Sequence, residues 1–76
     1  KHGDHAAAQR VYRLLVQRNP DDYLGWSGFA SASSELKDVP SAREAAAAML
    51  RIRPNDRDAI MLLESIEEYE QRLKGR

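Results

Sequence analysis

The chain has 76 residues, no cysteine, and twelve basic side chains balanced by twelve acidic ones. Its length allows one small domain with a thin core, and the lack of cysteine excludes disulfides and thiolate metal sites. The balanced charge argues against nucleic acid or an anionic membrane surface as the partner, and no apolar run approaches the ~20 residues of a membrane span.

The first predicted helix covers about residues 5–18. One helical face is marked by the i, i+3, i+4, i+7 spacing of Ala8, Val11, Tyr12 and Leu15. Asp4 is the candidate N-cap, because its carboxylate can accept hydrogen bonds from first-turn amides. Asn19 precedes Pro20, and the residue before a proline is pushed out of helical geometry, so the helix ends there.

The second predicted helix covers about residues 22–36, with Asp21 or Asp22 as its N-cap. Its buried face is predicted to consist of Trp26, Phe29, Ala30 and Ser33. Gly25 and Gly28 each cost roughly 1 kcal/mol against alanine in a helix interior. Burial of the two aromatic side chains must therefore hold this helix, and a loop over residues 25–34 is the alternative.

The third predicted helix covers about residues 40–53. Pro40 is tolerated in its first turn, and the N-cap is either Asp38 or a capping box of Ser41 with Glu44. Its apolar face is that of the first helix displaced by 34 residues: Ala42, Ala45, Ala46 and Met49.

The fourth predicted helix covers about residues 56–73, with a long apolar stripe of Ala59, Leu62, Leu63, Ile66, Tyr69 and Leu73. The four helices predict an all-α fold. Pro20 and Pro54, which stand 34 residues apart, each follow one helix and precede the next. A period of this length with helix–break–helix punctuation is typical of helical repeat arrays.

The unit from residue 23 to residue 56 resembles the tetratricopeptide repeat. Trp26, Phe29 with Ala30, Ala42 and Pro54 stand where that family favours tryptophan, a large-then-small pair, a small residue and a closing proline. Residues 3–20 resemble the second half of a preceding unit, and residues from 57 onward the first half of a following one. The resemblance implies antiparallel helix-turn-helix repeats, stacked as a short right-handed α-solenoid in a single domain or fragment over residues 1–76.

The chain departs from the family pattern at four positions. Ser33 and Ala46 replace residues that are usually aromatic, which predicts less packed volume between the paired helices. Glu64 and Glu67 lie where a partner helix of the fourth helix would pack, and a buried unpaired charge is costly. We therefore expect the fourth helix to cap the solenoid with a polar outer face.

The resemblance also implies a function, a non-catalytic scaffold that binds a peptide or a partner helix along a concave groove. The groove positions are Leu24, Ser27, Ser31 and Ser34 on the second helix and Asp58, Met61, Ser65 and Glu68 on the fourth. Both sets follow i, i+3, i+7, i+10 and so lie along one face of their helix. The implied partner is a protein or peptide, with no nucleic acid, membrane insertion or cofactor.

The alternative is structural: the chain associates through its first helix, which lacks its expected partner. The apolar side chains left uncovered there would be Ala7, Val11, Leu14 and also Val16. The chain starts at Lys1 without methionine, which we interpret as a fragment or processed product. Preceding residues or a second copy of the chain would then cover the helix, unless it frays.

Candidate catalytic and metal-ligating residues are few. His2, Asp4 and His5 have metal-ligand chemistry, but two imidazoles and one carboxylate at a chain end are typical of ordinary surface residues. No nucleophile elbow or glycine-rich phosphate loop occurs. The glutamates of the fourth helix are expected to form a solvated face, so the sequence predicts neither an enzyme nor a metal site.

Overall fold

The computed structural model describes residues 4–75, which form four helices and, within that range, no strand. The helices are α1 (His5–Arg18), α2 (Tyr23–Glu35), α3 (Val39–Ile52) and α4 (Arg57–Lys74). Each begins and ends within one residue of its predicted bounds, and the all-α prediction is confirmed. The alternative prediction of a loop over residues 25–34 is wrong, because α2 is helical throughout that range. That residues 1–76 form a single domain stays a prediction.

Three helices begin at an aspartate whose carboxylate accepts a backbone N–H from the residue three positions later. The pairs are Asp4 with Ala7, Asp22 with Gly25 and Asp38 with Ser41, at 3.1–3.3 Å. The predicted caps Asp4 and Asp38 are thus confirmed, and α2 uses Asp22 where the sequence left two choices. These bonds satisfy amides that have no partner within their helix.

The aspartate that begins α4 has a different role. Asp56 makes no side-chain capping bond; its Oδ2 instead accepts a hydrogen bond from the Tyr23 hydroxyl at 2.6 Å. This bond raises the pKa of Tyr23 above its ordinary value, with further contributions from burial and from the nearby carboxylates. The start of α2 is therefore tied to the start of α4.

Consecutive helices pack against each other, α1 on α2, α2 on α3 and α3 on α4. Contacts between opposite helix ends establish that neighbours run antiparallel. Arg51, near the end of α3, donates to Asp21, just before α2, at 2.6 Å. Arg43, near the start of α3, donates to Glu70, near the end of α4, at 2.7 Å.

The core is centred on α2. Phe29 is fully buried, and the ring of Trp26 meets it edge-on at 5.9 Å between centroids. The Arg13 guanidinium lies 4.5 Å from the centroid of the Phe29 ring, which is cation–π geometry. The buried residues packed around the two rings are Val16, Ala30, Ala45, Ala48, Met49 and Ala59. The predicted buried faces of α2 and α3 are confirmed.

The prediction of which α1 side chains are uncovered is partly wrong. Val11 is 64% exposed, as expected for an uncovered residue, whereas Val16, also expected to be uncovered, is buried. The cause lies in the glycines of α2. A Cβ atom built on Gly28 would lie 2.3 Å from the Tyr12 ring, and one on Gly25 would lie 3.1 Å from Val16. These two glycines admit Tyr12 and Val16, and α1 therefore turns Val11 away from α2.

Leu73, the last residue of the apolar stripe predicted for α4, is exposed. α4 has 18 residues and α3 only 14. The last turn of α4 therefore has little helix to pack against.

A hydrogen-bonded cluster fills the place of the aromatic residue missing at Ser33, whose side chain is fully buried. Gln9 Nε2, from α1, donates to Ser33 Oγ at 2.9 Å and to Asp38 Oδ2 at 2.8 Å. The bond from Gln9 first, and then those from Ser41, hold the pKa of Asp38 below its ordinary value. The cluster joins α1, the end of α2 and the start of α3.

We expect Gly28→Ala to lower the free energy of unfolding by about 1 kcal/mol, because overpacking by the new methyl group outweighs the better helix propensity of alanine. In a Tyr12→Ala background the clash is absent, and the same substitution should be stabilising by about 1 kcal/mol. Urea unfolding measures both effects. Gly75→Ala, whose Cβ would lie 3.4 Å from its nearest neighbour, is the control. An equal effect of Gly28→Ala in both backgrounds would contradict this account.

We expect Gln9→Met to be destabilising by about 1–2 kcal/mol at pH 7, because Ser33 and Asp38 lose a donor. Asp38 has a lower pKa in the folded state than in the unfolded chain. Its contribution is therefore present above about pH 4 and is lost as the pH falls through the folded-state pKa. The stability difference between wild type and variant should shrink from pH 7 towards pH ~2.5 in urea titrations. Gln17→Met, at an exposed glutamine of α1, is the matched control, and a pH-independent difference would refute the role of Asp38.

Candidate functional site

α2 and α4 lie side by side against α3. Both are antiparallel to α3 and so run in the same direction, and the Tyr23–Asp56 hydrogen bond joins their starts. The Arg53 guanidinium, 3.8 Å from the centroid of the Tyr23 ring, covers this junction. The sides of α2 and α4 that carry the eight predicted groove residues are called here the α2–α4 surface.

The α2–α4 surface is largely open to solvent. Six of the eight predicted residues are exposed, and Ser27 and Ser34 are half-buried. The exposed six are Leu24, Ser31, Asp58, Met61, Ser65 and Glu68. Two of them are large and apolar: Leu24 is 76% exposed and Met61 is 57% exposed. The surface thus combines apolar side chains with hydroxyl groups, and none of these side chains belongs to the buried core.

A pocket of about 200 Å³ lies between the end of α2, the start of α3 and the second half of α4. Its lining comes from all three helices and their connection: Ser33, Ser34, Lys37, Asp38, Val39, Ala42, Leu62, Ser65, Ile66, Tyr69 and Arg72. Of the eight predicted groove residues, it includes Ser34 and Ser65 and none of the others. The pocket therefore brings together one predicted groove residue from α2 and one from α4.

Five polar or charged pocket residues are not among the predicted groove residues: Ser33, Lys37, Asp38, Tyr69 and Arg72. A signal for two of them was present: Tyr69 and Arg72 follow Ser65 by four and seven residues and so share its helical face. Lys37 carried no such signal, because it lies in the turn after α2, where its φ is 59°. That value lies in the left-handed region, which glycine usually occupies.

The residues predicted for self-association lie on α1. Val11 and Leu14 are 64% and 62% exposed, and Ala7 is half-buried. The residues 34 positions later, Ala45 and Ala48, are buried in the core beside the aromatic rings of α2. In α3, the side with these alanines packs against α2. Within residues 4–75, no helix packs against the equivalent side of α1.

The candidate metal ligands do not form a site in the described part of the chain. His2 lies outside the described residues. Over residues 4–75, no three histidine, cysteine, aspartate or glutamate side chains are grouped closely enough to hold a metal ion. The Nε2 atom of His5 lies 3.9 Å from Glu35 Oε1 instead. None of the helices in this range is both long and apolar enough to cross a membrane.

Comparison with protein families gives a match to the family described as Tetratricopeptide repeat, over residues 1–66. This range contains α1, α2, α3 and the first half of α4. No curated protein and no solved structure matches the chain. Tetratricopeptide repeats generally mediate protein–protein interaction, and the family is typically a non-catalytic scaffold. Because the match covers most of the chain and the helices have the expected order, the chain belongs to the tetratricopeptide repeat family.

Proposed function

We propose that this chain is a non-catalytic interaction module that binds an extended peptide or a partner helix on the α2–α4 surface. The observation that carries the proposal is the exposure of Leu24 and Met61, two large apolar side chains on a surface otherwise built of small and polar residues. Their exposure stabilises nothing in the described fold. Contact with an apolar side chain of a partner would remove both from water.

The serines of the surface supply the polar part of recognition. Ser27, Ser31 and Ser34 lie along one face of α2, and each hydroxyl can both donate and accept a hydrogen bond. Their small size leaves room for a peptide backbone to approach the helix. The thioether of Met61 adapts its shape to different apolar side chains. The mechanism is therefore complementarity of shape and hydrogen bonding over a shallow surface.

A test is to pan a random peptide library, displayed on phage, against the purified chain. We expect enriched peptides to bind the wild type and to lose about tenfold in affinity with the double variant Leu24→Ser plus Met61→Ser, because each lost apolar contact weakens binding. Val11→Ser plus Leu14→Ser is the matched control, since it removes two equally exposed apolar side chains from α1. Fluorescence anisotropy gives the affinities. Enrichment of no peptide, or of peptides that bind both double variants equally, would refute the proposal.

A second candidate function is self-association through α1. It is favoured by the exposure of Val11 and Leu14 at positions whose equivalents in α3, Ala45 and Ala48, are buried. A helix from a second copy, laid against Ala7, Val11 and Leu14, would cover them. On this view the α2–α4 surface is idle.

Sedimentation equilibrium at micromolar concentration separates the two candidates. Self-association through α1 predicts a dimer that Leu14→Glu dissociates, because a carboxylate buried without a partner is costly. Met61→Glu, at a similarly exposed apolar residue of the α2–α4 surface, should leave that dimer intact. A wild-type monomer would exclude this second candidate.

A further inference from the structure

The pocket at the end of α2 exists because small residues line its inner part. Ser33 and Ala42 are both buried there, and Ser33 stands where the family favours an aromatic residue. Leu62 and Ile66 add apolar walls from α4. The volume is about 200 Å³, and an engineered apolar cavity of about 150 Å³ suffices to hold benzene. The pocket has room for one side chain the size of leucine or phenylalanine.

Two cationic side chains, those of Lys37 and Arg72, line this pocket. Neither Lys37 nor Arg72 forms a salt bridge within residues 4–75. Three other arginines each pair with a carboxylate elsewhere in the chain: Arg13, Arg43 and Arg51. The one carboxylate in the lining, Asp38, already accepts hydrogen bonds on both of its oxygens. The lining therefore has a net positive charge, two cations against the single carboxylate of Asp38.

The backbone at Lys37 supplies an independent observation. Lys37 has a φ of 59° and is the only non-glycine residue between positions 4 and 75 with a positive φ. The N–H of Asp38 donates to the carbonyl of Ser33 at 2.9 Å and closes the turn that ends α2, an arrangement in which glycine is the usual residue. Lysine is disfavoured in this conformation, and the side chain that it adds is an ammonium group beside the pocket.

We propose that the pocket binds an apolar side chain of a peptide ligand, while an adjacent aspartate or glutamate of that ligand lies between Lys37 and Arg72. The inference rests on the proposed function, since the pocket lies at one end of the α2–α4 surface. It specifies which part of the ligand is recognised there. The apolar residue and the acidic residue of the ligand lie within the peptide and not at its end, because the α2–α4 surface continues from the pocket towards Leu24 and Met61.

Four N-acetylated peptides, three of them also amidated at the C-terminus, test the pairing of apolar and acidic residues. They are Ac-Gly-Leu-Glu-Gly-NH2, its glutamine counterpart Ac-Gly-Leu-Gln-Gly-NH2, its alanine counterpart Ac-Gly-Ala-Glu-Gly-NH2, and the free-carboxylate peptide Ac-Gly-Gly-Leu-OH. Amide chemical shifts of the ¹⁵N-labelled chain report binding, with Ser34, Lys37 and Ser65 as the pocket signals. We expect the leucine–glutamate peptide to bind about fivefold more tightly than the glutamine peptide at low salt. This preference should shrink at 0.5 M NaCl, because salt screens the exposed charges.

Three variants assign the effect to the pocket. Lys37→Gly removes the ammonium group and relieves the backbone, so its melting temperature should be equal to or above that of the wild type while the preference for glutamate over glutamine falls. Ser65→Leu fills the pocket and should abolish binding of the leucine–glutamate and leucine–glutamine peptides. Lys74→Ala removes an exposed cation that does not line the pocket, and should bind as the wild type does.

Several results would overturn the proposal. They are an absence of shifts at the pocket signals, equal binding of the glutamate and glutamine peptides, tighter binding of the free-carboxylate peptide than of the leucine–glutamate peptide, or unchanged binding by Lys37→Gly. The proposed function fails separately. Pocket binding without any library peptide that depends on Leu24 and Met61 would refute that function alone. Library peptides that need both residues but lack an apolar–acidic pair would refute the pocket proposal alone.

Discussion

The structure depends on one packing constraint, the enclosure of α2 between α1 and α3. Phe29 is fully buried, and Trp26 meets its ring edge-on. These are the chain's only tryptophan and its only phenylalanine. Both lie on α2, which packs against α1 on one side and against α3 on the other. The neighbours come close because the residues facing the rings are small, chiefly alanines of α2, α3 and α4.

A core rich in alanine does little to determine how far one helix is shifted along its neighbour, because small side chains form shallow ridges. Polar contacts between the helices supply what the core lacks. The Gln9 side chain of α1 donates a hydrogen bond to the end of α2. Arg13 of α1 pairs with Glu44 of α3, and Arg43 of α3 pairs with Glu70 of α4. Each exposed ion pair contributes little to stability. These contacts link specific residues of different helices.

The sequence predicted the helices well because their ends are determined locally, by aspartates that cap and prolines that break. It predicted the contact face of α1 poorly, since that face depends on Gly25 and Gly28 of another helix, whose missing Cβ atoms admit Val16 and Tyr12. The lost aromatic volume at Ser33 was foreseen, but not its outcome. Part of that space is taken by a glutamine from α1 and part is open as a pocket, and both depend on three helices at once.

The residues of α2 that pack the core and those proposed to bind a ligand lie on different sides of the helix. This arrangement follows from the enclosure of α2 between α1 and α3. Two sides of this helix are fixed by α1 and α3, where a larger residue in place of Gly28 meets a neighbouring ring. Its remaining side, with Leu24 and Ser31, is exposed to solvent, and it is the side on which we propose that a ligand binds. Lys37 marks the limit of this separation, because its backbone closes the end of α2 while its side chain lines the pocket. The left-handed φ of Lys37 is one that lysine disfavours, and the proposed contact of its charge with an acidic ligand residue offers a reason for lysine at this position.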